Sequence, residues 1–221
     1  MADPKADKPK ASADVRIAAA EFVAGAHARN QIPASATFED APEVAFAGKS
    51  NVGKSSLLNM VLARKSLART SNTPGRTRQV NFFDVKLAQP PVPRIVFVDL
   101  PGYGYAKVSK SESHGWKDLI EGYLEQRPTL KAVYVLVDVR RGVEEDDEDL
   151  LEYAASLSGA PRVALVVTKL DKLARSAQKP ALAKLGAGKS VQVIGTSAET
   201  RDGREALWKS ILSACGVPSR G

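Results

Sequence analysis

A glycine-rich segment near residue 50 has the residue types and the spacing that a polyphosphate site needs. It reads G-K-S-N-V-G-K-S from Gly48 to Ser55, which matches the pattern G-x-x-x-x-G-K-S. Such a loop ends at a helix N-terminus, so its backbone N–H groups and the helix dipole point at the anion. In this geometry Lys54 reaches the β- and γ-phosphates, and the Ser55 hydroxyl binds Mg²⁺. We therefore expect ligand contacts from Gly48, Lys49, Ser50, Asn51, Val52, Gly53, Lys54, Ser55 and Ser56.

The residues on either side of this segment fit the same interpretation. Residues 44–47 are a short apolar run typical of a buried strand, and the apolar residues after Ser55 recur with helical spacing as far as Leu62. A chance match in a turn is the alternative. The strand before the loop and the helix after it argue against that alternative, because the anion geometry depends on both.

A second segment could hold the metal and detect a third phosphate. An apolar strand over Arg94–Asp99 ends in an aspartate and is followed by L-P-G. We expect Asp99 to hold Mg²⁺ through water and the Gly102 N–H to contact the γ-phosphate. The residues of this segment that we expect at the nucleotide are Asp99 and Gly102.

Two later strand ends carry residues that could select the base. The run T-K-L-D ends at Asp171, and a carboxylate there can accept hydrogen bonds from both N1–H and N2–H₂ of guanine. Adenine offers no such pair of donors. Another apolar run ends in T-S-A, where backbone N–H groups can meet guanine O6. The expected base contacts are Asp171, Ser197 and Ala198.

The segment between the phosphate loop and Asp99 is rich in turn formers, with T-P-G-R-T at 73–77. A hydroxyl here would complete the magnesium shell when the γ-phosphate is present. Thr77 is our first choice and Thr73 the alternative, so the predicted metal ligands are Ser55, Thr77 and Asp99. A plain solvent loop is the other interpretation, and it is also where a segment that orders and disorders would lie.

The elements that must position these residues alternate between strands and helices. Val80–Leu87 and Arg94–Asp99 read as strands whose linker is too short for a crossover helix, so we expect them to be antiparallel. Further strands are predicted at 132–138, 163–168 and 191–195, with helical stretches between them. A helix is predicted at 14–29 from its apolar stripe and from Asp14 as a cap. The result is a three-layer α/β domain with a mainly parallel six-stranded sheet and one antiparallel edge strand.

Composition bounds the class of protein. The chain has 221 residues, 43% of them apolar, which suits one domain over 14–216 between a disordered tail at 1–13 and a short tail at 217–221. Cys215 is the single cysteine, so no disulfide partner is expected, and we expect a cytoplasmic monomer with no membrane span. The net charge of +7 favours a polyanion such as RNA, with solvated surface as the alternative. The six acids at 144–149 are interpreted as a helix N-terminus.

Four segments together resemble the EngB family of Era-like bacterial GTPases. They are G-K-S-N-V-G-K-S at 48–55, T-P-G-R-T at 73–77, D-L-P-G-Y-G-Y-A at 99–106 and T-K-L-D at 168–171. The resemblance covers about residues 15–215 and implies a Ras-like P-loop GTPase. It also implies a role in large ribosomal subunit assembly, with rRNA and ribosomal protein as partners, and a requirement for normal cell division and septation. Carried over by position, it places nucleotide contacts at 48–55, 75–79, 99–102, 168–171 and 196–198. To the residues already named, it adds Gly75, Arg76, Thr77, Arg78, Gln79, Leu100, Pro101, Thr168, Lys169, Leu170 and Thr196.

The residue after Gly102 departs from a common catalytic pattern. Many nucleotide switches carry a glutamine there that orients the attacking water, whereas this chain has Tyr103. We therefore predict slow intrinsic hydrolysis of GTP, with electrostatic stabilisation as the main contribution. Asn51 lies at a loop position where some Era-type proteins also carry asparagine. This resemblance implies that a potassium ion held by Asn51 supplies a missing positive charge. The predicted catalytic residues are Lys54, Thr77, Gly102 and Asn51.

An enzyme that couples a nucleotide to another substrate, such as a P-loop kinase, is the alternative function. That function needs an acceptor site and a base near the γ-phosphate, and we find neither in the sequence. The choice of base and the nucleotide dependence of partner binding would distinguish the two.

Overall fold

The computed structural model describes residues 15–68, 79–88, 92–103 and 110–217, with side chains left out at 110–117. Seven strands and five α-helices follow one another along these ranges. The strands are β1 Ile17–Ala26, β2 Glu43–Gly48, β3 Val80–Leu87, β4 Arg94–Asp99, β5 Leu130–Asp138, β6 Arg162–Thr168 and β7 Gln192–Gly195. The helices are α1 Lys54–Val61, α2 Lys110–Glu125, α3 Glu145–Ser156, α4 Arg175–Gly186 and α5 Arg204–Ala214.

The strands form one sheet in the order β1-β3-β4-β2-β5-β6-β7. Strands β4, β2, β5, β6 and β7 pair in parallel, whereas β3 is antiparallel to both of its neighbours. The predicted α/β class and the antiparallel pairing of β3 with β4 are confirmed. The sheet has one strand more than predicted, and β3 lies second from the edge because β1 covers it.

The helix predicted at 14–29 is wrong, because residues 17–26 form the edge strand β1. This strand pairs with β3 along its whole length, from Ile17 opposite Leu87 to Ala26 opposite Val80. Phe22 lies opposite Phe83, and their rings meet edge to face with centroids 5.8 Å apart. The alanines of this segment favour a helix locally, but pairing with a long strand outweighs that preference. The proposed cap, Asp14, lies outside the described residues.

Helices cover both faces of the sheet, as the three-layer prediction requires. In β2, every residue is buried, and its alternate side chains enter two different clusters. Phe46 packs with α1 and α5, where Trp208 is the largest buried side chain. Ala45 and Ala47 face the other cluster, to which α2 contributes Tyr123 and α3 contributes Leu151. The carboxyl ends of β2, β4, β5, β6 and β7 therefore meet at one edge of a rigid core.

None of the helices in the described ranges is long and apolar enough to cross a bilayer.

Candidate nucleotide site

The phosphate loop runs from the end of β2 at Gly48 to the start of α1 at Lys54. A Cβ added at Gly48 would lie 3.0 Å from both the Leu136 Cβ and the Val52 Cγ1, so the loop leaves β2 without room for a side chain. Gly53 has φ +104°, a left-handed conformation that glycine adopts without strain. These two positions explain why the glycines of the motif are needed for the turn onto α1.

Lys54 and Asp99 are brought together, as their motifs predict. The Lys54 ammonium forms an ion pair with the Asp99 carboxylate, and both side chains are buried. Asn81 on β3 donates to the other Asp99 oxygen at 3.4 Å, and Gln79 donates to Asn81 at 2.6 Å. The ammonium that the loop would offer to a phosphate is therefore paired with the carboxylate that would support Mg²⁺.

Asn81 is not among the residues predicted for the site. Its position follows from the β3–β4 register, in which Asn81 lies directly opposite Asp99. The predicted antiparallel pairing of these strands could have identified it, but only with the register known. Of the predicted contacts in this region, Gln79 lies beside Asn81. The predicted residues Gly75, Arg76, Thr77 and Arg78, together with the alternative Thr73, lie outside the described residues.

Oxygen ligands suited to Mg²⁺ are present beside the loop. Ser55 is half-buried in the first turn of α1, and Asp99 ends β4 next to Lys54. Hydroxyl and carboxylate oxygens are the ligands that this hard cation prefers, and Mg²⁺ keeps several waters. The donor set therefore fits a magnesium ion that also binds phosphate oxygens.

The T-K-L-D segment is fastened to the phosphate loop by its first two residues. The Thr168 hydroxyl donates to the Val52 carbonyl at 2.6 Å, and the Lys169 ammonium donates to the Asn51 carbonyl at 2.7 Å. Lys169 also pairs with Asp138 at 3.0 Å. A hydrogen bond from Arg140, joined by that from Lys169, holds the pKa of Asp138 well below its usual range although burial opposes the shift. Thr168 and Lys169 thus set the distance between loop and base motif.

The third member, Asp171, meets the T-S-A segment. Ser197 donates to the Asp171 carboxylate at 2.6 Å, and Lys172 pairs with its other oxygen at 2.9 Å. These two interactions lower the pKa of Asp171, so the group is ionised at neutral pH and can accept hydrogen bonds. Backbone hydrogen bonds also hold the neighbouring Thr196. Its N–H donates to the Val167 carbonyl on β6, and its carbonyl accepts from the Leu170 N–H in the T-K-L-D segment. The two predicted base segments therefore form one structure.

The segment after Asp99 lies directly on the phosphate loop. The Ser50 N–H donates to the Tyr103 carbonyl at 3.3 Å, and Lys49 and Tyr103 form a parallel bridge. A Cβ at Gly102 would come within 2.8 Å of the Ser50 Oγ, so glycine permits this approach. Gly102 is thus next to the predicted phosphate loop.

The side chain of Tyr103 is buried against α3. Its hydroxyl donates to the Asp147 carboxylate at 2.6 Å, while Asp147 also accepts from the Glu144 N–H at 3.0 Å at the start of α3. Lys49 of the phosphate loop pairs with Glu144 at 2.8 Å and with Asp146 at 2.9 Å. Burial alone would lower the pKa of Lys49, but these hydrogen bonds together raise it. The acids at 144–149 do lie at a helix N-terminus, and they also bind two residues of the site, which no spacing in the sequence indicated.

A cavity of about 970 Å³ opens beside α1 at the base motif. Its walls include residues from the phosphate loop and from both base segments, namely Gly53, Ser56, Thr168, Lys169, Asp171, Thr196 and Ala198. The cavity therefore borders the base segments and the end of the phosphate loop, whereas Lys54, Ser55 and Asp99 are not among its lining residues.

Comparisons with known proteins agree with this geometry. The family model for a 50S ribosome-binding GTPase matches residues 43–169. A protein of Gemmatimonas aurantiaca named "Probable GTP-binding protein EngB" is 44% identical over 181 residues, covering 80% of this chain and 84% of its own. A protein of Desulfatibacillum aliphaticivorans with the same name is 47% identical over 180 residues, covering 80% and 83%.

Among solved structures, Era in complex with MgGDPNP and nucleotides 1506–1542 of 16S ribosomal RNA has a TM-score of 0.65. It is 27% identical in sequence, and the match covers 79% of this chain and 56% of that one. The matched family model spans more than half of this chain, and the relatives from Gemmatimonas and Desulfatibacillum exceed 40% identity over most of it. The chain belongs to the EngB family of GTP-binding proteins.

Proposed function

We propose that this protein is a GTP-controlled switch and slow GTPase that acts in assembly of the large ribosomal subunit. Through that role we propose that it is required for normal cell division and septation. The proposal of nucleotide binding depends on one observation. Thr168 and Lys169 of the T-K-L-D segment donate hydrogen bonds to main-chain carbonyls of the phosphate loop. These bonds keep an ionised Asp171 at a fixed distance from the phosphate loop. A nucleotide requires this, because its base lies at one end and its phosphates at the other.

The residues of the site divide between the two ends of the ligand. Asp171 would accept from guanine N1–H and N2–H₂, with Ser197 orienting the carboxylate, and the Ala198 N–H would meet O6. The loop from Gly48 to Ser56 would hold the phosphates with its N–H groups. Lys54 would exchange Asp99 for phosphate oxygens, because the ammonium cannot hold both at full strength.

Ser55 and Asp99 are the described residues that would hold Mg²⁺, Asp99 through water, and Thr77 is the further ligand that we propose. The ion supplies positive charge beside the β- and γ-phosphates when bound. The protein's own part is to present oxygen ligands at the start of α1 and the end of β4, next to Lys54.

The surroundings of Tyr103 support slow hydrolysis. Its hydroxyl is committed to Asp147 on α3, so it is not placed to orient water at the phosphate loop. Lys54, Gly102 and Thr77 would then contribute by electrostatic contact with the phosphates. Asn51, whose side chain is exposed and whose φ is +64°, is the residue that we propose to hold a potassium ion. That ion would supply the positive charge that an arginine finger supplies in other nucleotide switches.

Membership of a family described as 50S ribosome-binding GTPases supports the ribosomal partner. The net charge of +7 suits a partner made largely of RNA. We further propose that the chain acts in the cytoplasm as a monomer, with residues 14–216 forming the GTPase domain.

Sedimentation with isolated large ribosomal subunits tests this function. The protein is mixed with subunits in GDP or in a non-hydrolysable GTP analogue, at salt near the physiological value, because basic proteins bind RNA nonspecifically at low salt. We expect co-sedimentation with the analogue and little with GDP. Equal binding in both nucleotides, or no binding, would contradict a switch controlled by the γ-phosphate.

A further inference from the structure

The cavity at the base motif continues beyond the residues that we assign to the nucleotide. Besides Lys169 and Lys172, five basic residues from three separate parts of the chain line it. Arg16 precedes β1, Arg64 and Lys65 follow α1, and Arg201 and Arg204 lie at the start of α5. We call the surface formed by these five residues the basic groove.

Among the described residues that line the cavity, basic side chains outnumber acidic ones. The described residues that line the cavity include two acids, Asp171 and Glu199, and Asp171 is paired with Lys172. Arg16, Lys65 and Arg201 are exposed, and none of the three forms an ion pair with another described residue. Clustered like charges in a concave surface raise the local potential and attract anions.

The shape of the groove is held by contacts that its exposed charges do not make. Arg204 donates to the Val61 carbonyl at 3.2 Å, which fastens α5 to the end of α1. Trp208, one turn later, donates to the same carbonyl at 3.1 Å and is buried. The groove therefore stays in place when its exposed charges are replaced.

We propose that the basic groove binds the phosphate backbone of an RNA strand; this inference rests on the proposed ribosomal function. Among the described residues that line the cavity, none is aromatic, so the groove offers no stacking surface for bases. Recognition then depends on phosphate charge and varies little with sequence. An acidic protein segment is the other class of polyanion, and it is an outcome of the test below.

The groove also has a consequence for the nucleotide. It is continuous with the base end of the nucleotide site, because both border the same cavity. An RNA strand lying across Arg64, Lys65 and Arg201 would cover the side from which guanine leaves. Bound RNA should therefore slow the release of GDP.

The test compares two variants of the full chain that each lose three charges. In the groove variant, Arg64→Gln and Lys65→Gln are combined with Arg201→Asn, because Arg201 has φ +65° and asparagine tolerates that conformation. In the control variant, Arg175→Gln, Lys179→Gln and Lys184→Gln remove three exposed charges from α4, outside the cavity. Equal GDP affinity and equal unfolding temperatures establish that both variants are folded.

Binding of a fluorescent single-stranded RNA oligonucleotide is measured over a range of salt. Each phosphate contact on a single strand contributes about −0.7 to the slope of log K against log[salt]. The groove variant should lower the magnitude of that slope by about 2 and weaken binding roughly fifty-fold near 0.15 M salt. The control should match the wild type. Equal losses in both variants, or a larger loss in the control, would overturn the proposal, as would a polyglutamate that binds the groove more tightly than the RNA.

Two further measurements separate this inference from the function on which it rests. Release of a fluorescent GDP should slow when the wild type is saturated with RNA, and it should not slow in the groove variant; unchanged release in the wild type would refute the covering of the base. In sedimentation, a groove variant that binds large subunits as well as the wild type would refute the groove and leave the ribosomal role intact. Failure of the wild type itself to sediment would refute the ribosomal role, and the oligonucleotide would still test the groove.

Discussion

Replacement of Tyr103 by phenylalanine isolates the contact between the segment after Asp99 and α3. The substitution keeps the buried ring and removes the hydroxyl that donates to Asp147 at 2.6 Å. Asp147 would keep its hydrogen bond from the Glu144 N–H, so one of its two oxygens loses a donor in a buried place. The variant therefore measures one charge-assisted hydrogen bond.

The size of the effect follows from burial and charge. A hydrogen bond to an ionised group contributes about 1.5–3 kcal/mol, and the surviving bond from Glu144 places our expectation near 2 kcal/mol. For a chain of this length, that free energy corresponds to a fall in the unfolding temperature of about 4–8 °C. Thermal unfolding followed by circular dichroism near pH 7 measures it.

Acidic pH should reduce this difference. Burial raises the pKa of Asp147, and the Tyr103 hydrogen bond opposes that rise, so the phenylalanine variant should have the higher Asp147 pKa. A raised pKa in the folded state means that the folded protein binds the proton more readily than the unfolded chain. The free energy of unfolding then decreases as pH rises from the unfolded pKa of Asp147 to its folded pKa, and the decrease is larger in the variant. The difference between wild type and variant should therefore shrink as pH falls from 7 toward the unfolded value near 4.

Tyr153→Phe is the matched control. It removes a hydroxyl on α3, the helix that also carries Asp147, and this hydroxyl donates to an exposed carboxylate, Glu125, at 3.0 Å. We expect a change within about 0.5 kcal/mol for a surface contact of this kind. Equal shifts for the two variants, or a Tyr103→Phe difference that grows toward acid pH, would refute the reasoning from burial and charge.

Three further predictions concern the nucleotide. Asp171→Asn should weaken GDP binding and favour a xanthine nucleotide in competition assays, since the carboxylate that accepts from guanine is lost; unchanged GDP affinity would remove Asp171 from the site. Lys54→Ala should abolish phosphate-dependent binding in calorimetry and lower the stability of the free protein by about 3–5 kcal/mol, because Asp99 stays buried without its cation; a fully stable variant would contradict that pairing. GTP turnover should be faster in potassium than in sodium and lose this difference in Asn51→Ala; the same rate in both salts would exclude the potassium site.

Sequence patterns predicted those parts of the fold in which local signals and tertiary context agree. The strands at the centre of the sheet were predicted within two residues of their observed starts; β5 begins at Leu130 and not at 132. Residues 17–26 were misassigned because alanine-rich segments favour helix locally, and the contact that decides their structure is with β3, more than fifty residues away in sequence. An edge strand of this kind cannot be found from its own residues.

In the candidate site, too, residues within one motif were predicted and contacts between separate elements were not. Lys54, Asp99, Thr168 and Asp171 belong to motifs whose spacing is fixed by one loop or one strand end, so the sequence predicted that they would meet. The ties from Asn81 to Asp99 and from Tyr103 to Asp147 join different elements and depend on register and packing. Such contacts become visible only once the strands are aligned and α3 is placed beside the phosphate loop.

The two ends of the site are held in different ways, and this bears on how it could act as a switch. At the base end, Thr168 and Lys169 bind main-chain carbonyls of the loop, contacts that a nucleotide does not replace. At the phosphate end, Lys54 is paired with Asp99, a contact that a bound phosphate must replace. In the proposed site, guanine would therefore meet a preformed surface, whereas the phosphates would first have to displace an internal ion pair. Any movement produced by the third phosphate should therefore begin at Lys54 and Gly102 and reach α3 through Tyr103.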